Sequence, residues 1–311
     1  MLLICSYIAD LIFGDPEWLP HPVRGIGKLI NFGEKVLWKR ENKYRQRFKG
    51  FILAIMVIFI TTISTCLFLT ILQKINPVLG KFFWVYIGYT TISIKDLRIK
   101  AKEIYFSLKE DLLNKARKNL SKIVGRDTED LNKEEVIKAS IESIAENTND
   151  GIIAPLFYLT IGGPILAITY KAINTLDSML GYKNEKYINF GWASARIDDI
   201  ANYIPARISG FLISLSSFIL GKGFKDSFLT MLKQAKLHPS VNSGYPEASM
   251  AGSLKIKLAG PCYYEGKLFN KPYLGEDKKD IEESLIIEAL NVSFVSSLIM
   301  LISGVIIRWL I

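Results

Sequence analysis

Long apolar runs give the outline of this chain. Residues 51–73 carry no charged side chain over a length that can cross a bilayer, for which about 20 residues are needed, so they predict a transmembrane helix. Weaker apolar runs, shorter or interrupted, lie at residues 78–94, 152–170, 203–220 and 286–307. We therefore expect an all-α, polytopic membrane protein with about five spans.

The more polar sections predict helices and structured turns outside the bilayer. Residues 95–140 show apolar positions at three- and four-residue spacing, which indicates amphipathic helix. A break at residues 125–128 offers Asp127 or Thr128 as the cap of the next helix. Proline, glycine and asparagine make 221–285 a turn-rich section. The expectation is one integral membrane domain over 1–311, with cytoplasmic sections at about 95–150 and 221–285.

One apolar segment contains a helix-breaking sequence. Gly162, Gly163 and Pro164 interrupt residues 152–170, and broken helices are tolerated at membrane depth only when buried in protein or lining a cavity. We expect this segment to be kinked or re-entrant. The polar clusters on either side of it would then form one site facing the cytoplasm.

The net charge of +9 comes largely from basic residues beside the apolar segments, so it does not require a nucleic-acid partner. Basic residues precede the first span at positions 39, 40, 43, 45, 47 and 49, which predicts a cytoplasmic loop in a multi-pass protein of the cell membrane. The three cysteines make no CxxC pair, and no Walker A loop or GxGxxG is present.

The first polar cluster precedes the broken segment. Glu142 and Glu146 are four residues apart and share a helix face, with Asn147 and Asp150 just beyond. Like charges at this spacing repel slightly, and a bound cation would reverse that effect. Two glutamates on a solvated face are the alternative.

The second polar cluster follows the broken segment. Its side chains are carboxylates, carboxamides and guanidinium groups, at Asn174, Asp177, Arg196, Asp198, Asp199, Asn202 and Arg207. Adjacent carboxylates suit Mg²⁺, which takes one or two of them together with substrate phosphates. A structural ion pair between the aspartates and Arg196 is the alternative.

Two further stretches combine turns with groups able to bind a ligand. His21 and Arg24 lie beside three prolines at a membrane edge. His238, Asn242 and Glu247 lie in the turn-rich section.

The motifs, taken in order, resemble the adenosylcobinamide-phosphate synthase family of cobalamin biosynthesis, whose members are polytopic membrane proteins. The stretches that carry this resemblance are DLIFGDP (10–16), PHPVRGIG (20–27), ESIAENTNDGIIAPL (142–156), NTLDSM (174–179), FGWASARIDD (190–199), YIPAR (203–207) and the section from His238 to Gly260.

The resemblance implies an ATP-dependent amide ligase. Such an enzyme joins (R)-1-aminopropan-2-ol or its phosphate to a propionate of adenosylcobyric acid, with Mg²⁺ as cofactor and ATP as co-substrate. On this basis the expected catalytic residues are Glu146, Asp177, Asp198 and Asp199. The expected metal ligands are Glu142, Glu146, Asp150, Asp198 and Asp199. The expected substrate-binding residues are His21, Arg24, Asn147, Asn174, Arg196, Asn202, Arg207, His238, Asn242 and Glu247.

Two other functions stay open at this point. A broken helix with intramembrane carboxylates also describes an ion-coupled transporter component. A membrane Mg²⁺-dependent phosphotransferase acting on a lipid alcohol would use the same aspartates. The expected partners are the corrinoid, the amino alcohol and the lipid bilayer. The number of copies, and contacts with other proteins of the cobalamin pathway, are left open.

Overall fold

A computed structural model describes residues 1–16, 18–182 and 184–310, and it is predominantly helical. The α-helices are α1 (Leu2–Phe13), α2 (Pro22–Leu37), α3 (Lys43–Ile75), α4 (Pro77–Tyr89), α5 (Ile94–Lys109), α6 (Leu113–Leu120), α7 (Lys133–Asn147), α8 (Ala154–Leu180), α9 (Tyr187–Phe190), α10 (Trp192–Ala201), α11 (Tyr203–Ile219), α12 (Phe224–Gln234), α13 (Gly244–Leu254) and α14 (Ser284–Leu310). A π-helix, Thr148–Ile153, joins α7 to α8. The predicted all-α, polytopic class is confirmed.

Three helical stretches of the described chain are long and apolar enough to cross a membrane: Lys43–Ile75, Lys133–Leu180 and Ser284–Leu310. They contain the spans predicted at 51–73, 152–170 and 286–307. Two shorter apolar helices, α1 and α11, accompany them.

The span expected at 78–94 is replaced by a shorter helix. Helix α4 has 13 residues, which gives a length of about 20 Å against a hydrocarbon core of about 30 Å. Asn76 caps its start through the amides of Val78 and Leu79. At its end the hydroxyls of Thr90 and Thr91 donate to the carbonyls three residues earlier. These local bonds end the helix before it reaches spanning length.

The predicted break in α8 is confirmed at Gly163, whose φ of 65° and ψ of −162° are not helical. Pro164 follows and has no N–H, so it cannot donate to the carbonyl of Thr160 one turn earlier. Arg308 of α14 supplies the missing donor, with its Nε 2.8 Å from that carbonyl oxygen. Its guanidinium also lies 5.1 Å from the ring centre of Trp84. The carbonyl oxygen that the kink deprives of its backbone donor is therefore still hydrogen-bonded.

Contacts divide the chain into two compact units. Unit 1 comprises Met1–Ser93, Ala154–Asn202 and the end of α14 from Leu301. In unit 1, amphipathic α2 buries Ile26 and Ile30 in a core that it shares with α3 and α8. Proline at the first position of α2 starts this helix without losing a hydrogen bond.

Unit 2 comprises Ile94–Ile153 and Tyr203–Met300. Its helix α7 is capped by Asn132 and Glu135 in a reciprocal capping box, so the expectation that Asp127 or Thr128 caps it is wrong. The section 95–140, expected to be helical with a break at 125–128, also breaks after Lys109 and contains the short helix α6.

The section 221–285 is more regular than its composition suggested. Two helices, α12 and α13, occupy much of it, so the turn-rich prediction is wrong for residues 244–254. Its described strands are β1 (Lys257–Ala259), β2 (Cys262–Tyr264), β3 (Lys267–Phe269) and β4 (Tyr273–Gly275), paired antiparallel as β1 with β4 and β2 with β3.

The β2–β3 hairpin is held by one aspartate. Glu265 and Gly266 have φ values of 50° and 72°, which both central positions of a type I′ turn require. The Asp127 carboxylate accepts from both of their amides, at 3.1 and 2.8 Å. The Asp127 amide donates to the carbonyl of Tyr263 at 2.9 Å. Asp127 therefore anchors the hairpin instead of capping a helix.

Buried serines link the helices of unit 2 in what we call the serine seam (Ser214, Ser216, Ser227 and Ser296). The hydroxyl oxygens of Ser214 and Ser227 are 3.0 Å apart, and those of Ser216 and Ser296 are 2.9 Å apart. All four side chains are completely buried. Such small side chains allow helix backbones to approach closely.

Candidate functional site

In unit 2, the end of α7 carries two of the predicted residues. One carboxylate oxygen of Glu146 accepts from the Ser243 hydroxyl at 3.3 Å. This contact links α7 to the turn before α13. Asn147 instead bonds back to its own helix, with Nδ2 2.9 Å from the Ser143 carbonyl oxygen. Glu146 is exposed and Asn147 is half-buried, so both side chains remain accessible.

The π-helix holds the next polar pair. Asn149 accepts from the Ser209 hydroxyl at 2.8 Å and donates to the Asp150 carboxylate at 2.7 Å. Single π-helical turns are rare and occur frequently at functional sites. The turn orders the Asp150 carboxylate beside an amide donor.

Glu142 is buried, and both of its carboxylate oxygens have partners. Its Oε2 pairs with the Arg126 guanidinium, and its Oε1 accepts from the Ala259 amide at 2.9 Å. Burial acts to lower the pKa of Arg126, but the Glu142 charge and hydrogen bond outweigh it, and the net pKa is raised. A role for Glu142 as a metal ligand would require these contacts to be replaced.

His238 and Glu247 are two buried members of this cluster that face one another. His238 Nε2 lies 3.6 Å from Glu247 Oε2, and the two residues are 9% and 5% exposed. The Ser240 amide donates to His238 Nδ1 at 3.1 Å, so in the neutral ring the proton is on Nε2, facing the carboxyl group. Burial, reinforced by the charges of Glu142 and Glu146, raises the pKa of Glu247 well above its ordinary value. Burial therefore shifts the titration of this carboxyl group toward higher pH.

The guanidinium of Arg207, near the start of α11, lies against two aromatic rings. Its guanidinium carbon lies 3.5 Å from the ring centre of Tyr203 and 4.2 Å from that of Tyr245. Nη1 donates to Asn242 Oδ1 at 3.3 Å. Stacking fixes the plane of a guanidinium while leaving its edge available for a carboxylate or phosphate.

In unit 1, Asp198 belongs to a hydrogen-bonded chain between α10 and α8. Asn202 Nδ2 donates to Asp198 Oδ2 at 3.0 Å, and Tyr170 Oη donates to Asn202 Oδ1 at 2.9 Å. Asp198 and Asn202 are 9% and 1% exposed. Tyr158 stacks on Tyr170, with 5.0 Å between ring centres. Asp198 is thus oriented by its neighbours.

Asp199 and Arg196 form the ion pair that the sequence suggested, at 3.1 Å and partly exposed. Exposed pairs of this kind add about 0–1 kcal/mol, so this pair contributes little to stability. Asn174 is buried on α8 and Asp177 half-buried one turn later. A methyl group in place of the Gly181 hydrogen would lie 2.0 Å from Asp177 Oδ1, so the Asp177 side chain needs glycine at that position.

In the proline-rich stretch of unit 1, the polar side chains bond to groups of the same stretch. His21 Nε2 and Asp15 Oδ1 are 2.9 Å apart. Arg24 donates from Nη2 to the carbonyls of Pro16 and Leu19, the first at 3.0 Å. These bonds hold the turn before α2, and ligand contact by His21 and Arg24 stays a prediction.

The carboxylates of the described residues do not gather into a metal-binding group. Within residues 1–16, 18–182 and 184–310, no group of three or more His, Cys, Asp or Glu side chains could hold a metal ion. Magnesium, however, needs only one or two carboxylates when phosphates and water complete its shell. The predicted metal ligands therefore remain a prediction.

Comparison with known proteins covers almost the whole chain. A family model described as CobD/Cbib protein matches residues 3–293. The chain belongs to the CobD/Cbib family. It is 46% identical over 306 residues to the cobalamin biosynthesis protein CobD of Clostridium perfringens, covering 98% of this chain and 97% of that protein. The CobD proteins of Leptospira interrogans and Listeria monocytogenes are 45% and 43% identical, each match covering 94% of this chain and 93% of the relative. No solved structure matches.

Unit 2 of this CobD/Cbib chain brings several predicted residues together. Glu146, Arg207, His238, Asn242 and Glu247 are linked through the turn before α13. Unit 1 separately joins Asp198 to Asn202 and Arg196 to Asp199. The shared site expected for the two clusters stays a prediction.

Sequence reasoning missed two cations of the CobD/Cbib chain in unit 2. Arg126 pairs with Glu142, and Lys271 is among the charges that act on Glu247. Arg126 lies in the break at 125–128. A charged residue beside a helix interruption is the sequence signal that could have marked it as a candidate. Lys271 lies between two strands too short to show any pattern.

Proposed function

We propose that this chain is an ATP-dependent ligase of cobalamin biosynthesis. It would join (R)-1-aminopropan-2-ol, or its phosphate, to a propionate side chain of adenosylcobyric acid. The observation that carries the proposal is the family match over residues 3–293, together with relatives named for cobalamin biosynthesis.

The chemistry of amide formation agrees with the side chains present. A carboxylate becomes reactive toward an amine only when one oxygen is converted into a leaving group, which phosphorylation by ATP achieves. The reaction then needs cationic donors for the phosphates and a proton acceptor for the incoming ammonium. Stacked Arg207 suits the first task, and a carboxylate that does not hold the metal ion suits the second.

Magnesium would be held in unit 2 by Glu146 and Asp150, which accept hydrogen bonds from the neutral side chains of Ser243 and Asn149. Asp198 and Asp199 are the corresponding candidates in unit 1. The ion would supply charge neutralisation for the nucleotide phosphates. Glu142 is less suited, since both of its oxygens already have partners.

A coupled assay tests the proposal. Purified chain in detergent is incubated with ATP and Mg²⁺, and ADP is measured with the corrinoid acid, with the amino alcohol or its phosphate, and with both. We expect ADP and the amide product only when both substrates are present. ADP formation that is independent of either substrate, or no reaction with any combination, would refute the ligase assignment.

Two further assays, one of them on chain reconstituted into lipid vesicles, separate the alternatives. A transporter component would move a substrate into sealed vesicles without forming an amide. A phosphotransferase would modify a lipid alcohol and would not require a corrinoid.

A further inference from the structure

Lys271, between β3 and β4, is a half-buried cation that the candidate residues do not include. Its ammonium donates to the Tyr264 hydroxyl at 3.3 Å and lies 5.5 Å from the centre of that ring. An ammonium group has three donors. Within the described part of the chain Lys271 has no ion-pair partner within 4.0 Å, so most of its bonding capacity is left to solvent or a ligand.

The carboxyl groups of the cluster make no direct ion pair with this cation within the described part of the chain. Glu142 is committed to Arg126, Glu146 bonds to Ser243, and Oε2 of Glu247 faces His238. Burial acts to lower the pKa of Lys271, yet Tyr264 and Glu247 raise it more, and the net pKa is raised. The ammonium therefore stays charged, and its remaining donors can bind an anion.

Contacts within unit 2 order the surroundings of Lys271. Asp127 fixes the β2–β3 hairpin that carries Tyr264. Arg126, the residue before Asp127, is held against α7 by its ion pair with Glu142. The lysine, its tyrosine partner and the Arg126 guanidinium are therefore ordered together.

We propose that Lys271 binds a phosphate group of a substrate at the candidate site in unit 2. This inference rests on the proposed function, in which the phosphate comes either from ATP or from the phosphorylated amine. An ammonium acts as a compact point charge and is a common phosphate ligand in proteins.

Binding without turnover tests this assignment. Full-length chain in detergent is titrated by calorimetry with ATP, inorganic pyrophosphate, aminopropanol phosphate and the unphosphorylated amine. For Lys271→Met we expect about a tenfold or larger loss of affinity for at least one phosphorylated probe, while Lys271→Arg keeps most of it. Loss with ATP and pyrophosphate identifies the nucleotide as the source, and loss with aminopropanol phosphate alone identifies the amine.

Lys267→Met, an exposed lysine of β3 in the same hairpin, is the matched control and should bind like wild type. If Lys271→Met does not fold, Lys271→Gln replaces it, with thermal unfolding as the check. The inference would be overturned if Lys271→Met bound every phosphorylated probe as wild type does. It would also be overturned if the variant lost as much affinity for the unphosphorylated amine as for the phosphorylated probes, or if wild type bound no phosphorylated probe. Lysine-dependent phosphate binding in a chain that makes no amide would refute only the proposed function.

Discussion

Glu247 carries a carboxyl group that its surroundings keep protonated above the ordinary pKa of 4.5. Between the unfolded and folded pKa values the folded chain binds more protons than the unfolded chain. The stability from this group is complete below the unfolded pKa and is lost as the pH rises through the folded value.

We therefore expect Glu247→Gln, which keeps the shape and removes the titration, to gain thermal stability relative to wild type as the pH rises. The melting temperatures should be close at about pH 5, and the variant should be higher at about pH 9, by roughly 2–4 °C for each kcal/mol recovered. Exposed Glu185→Gln is the control and should show a constant difference. A difference for Glu247→Gln that does not depend on pH would contradict the assignment.

The Arg126–Glu142 pair is almost fully buried, with side chains 13% and 6% exposed. Removing one member leaves an uncompensated buried charge, so Arg126→Met should lower the free energy of unfolding by about 3–5 kcal/mol. In the double variant Arg126→Met/Glu142→Gln, the glutamine can still accept from the Ala259 amide, and most of the loss should be recovered. Denaturant titration of both variants measures this. Equal losses would show that the charge is not the cause.

Asp198 and Asp199 are the residues for which activity and stability can be separated. Each aspartate-to-asparagine change should lower amide synthesis by at least about a hundredfold, roughly 2.7 kcal/mol in the barrier. Folding should survive, because asparagine at 198 can still accept from Asn202. Turnover and melting temperature are measured on the same preparation. A large fall in melting temperature with near-normal turnover per folded molecule would mean that these aspartates are structural.

The sequence identified many side chains of the candidate site but not their partners. Glu146, His238 and Glu247 were found because carboxylates, histidines and turns are conspicuous beside apolar helices. Arg126 and Lys271 were not, since their roles depend on contacts across 16 residues to Glu142 and across a β-hairpin to Tyr264. The raised pKa of Glu247 likewise depends on burial, which one sequence does not show.

At the scale of the elements, the α8 kink invites a direct test. Gly163 has a backbone conformation that is essentially restricted to glycine, and an added methyl group would lie 3.3 Å from Trp84 Nε1. Gly163→Ala should therefore cost about 1–3 kcal/mol of stability. Gly25→Ala in α2 is the matched control, because nothing lies within 4 Å of its added carbon. The control should be neutral or slightly stabilising in thermal unfolding.

Elements with strong patterns were predictable, and those formed by local exceptions were not. The uncharged run at 51–73 and the Gly-Gly-Pro break were confirmed in α3 and α8. The strands, with three residues each, are too short for any alternation to appear. The capping box at Asn132 was missed because the Gly-Arg-Asp-Thr break offered an earlier cap, and Asp127 proved to bind the hairpin instead.

At the scale of the whole molecule, membrane integration is the first property to measure. Helix α3 has 33 residues, about 50 Å, which exceeds the about 30 Å hydrocarbon core and leaves its basic first turns outside it. The chain should stay in the membrane fraction after alkaline carbonate washing, and release of intact chain would contradict this.

Orientation is tested separately by cysteine labelling. Arg45→Cys is placed in a chain whose three cysteines are changed to serine, and intact cells are treated with an impermeant maleimide. A cytoplasmic basic loop should stay unlabelled until the membrane is opened. Labelling in intact cells would reverse the orientation.

The serine seam of unit 2 has a thermal consequence. Hydroxyl pairs such as Ser216 and Ser296 bury little apolar surface, and apolar exposure is what raises the heat capacity on unfolding. Contacts of this kind do not depend on the release of water from apolar surface, which weakens in the cold. The contacts of the serine seam should therefore keep nearly constant strength as the temperature falls.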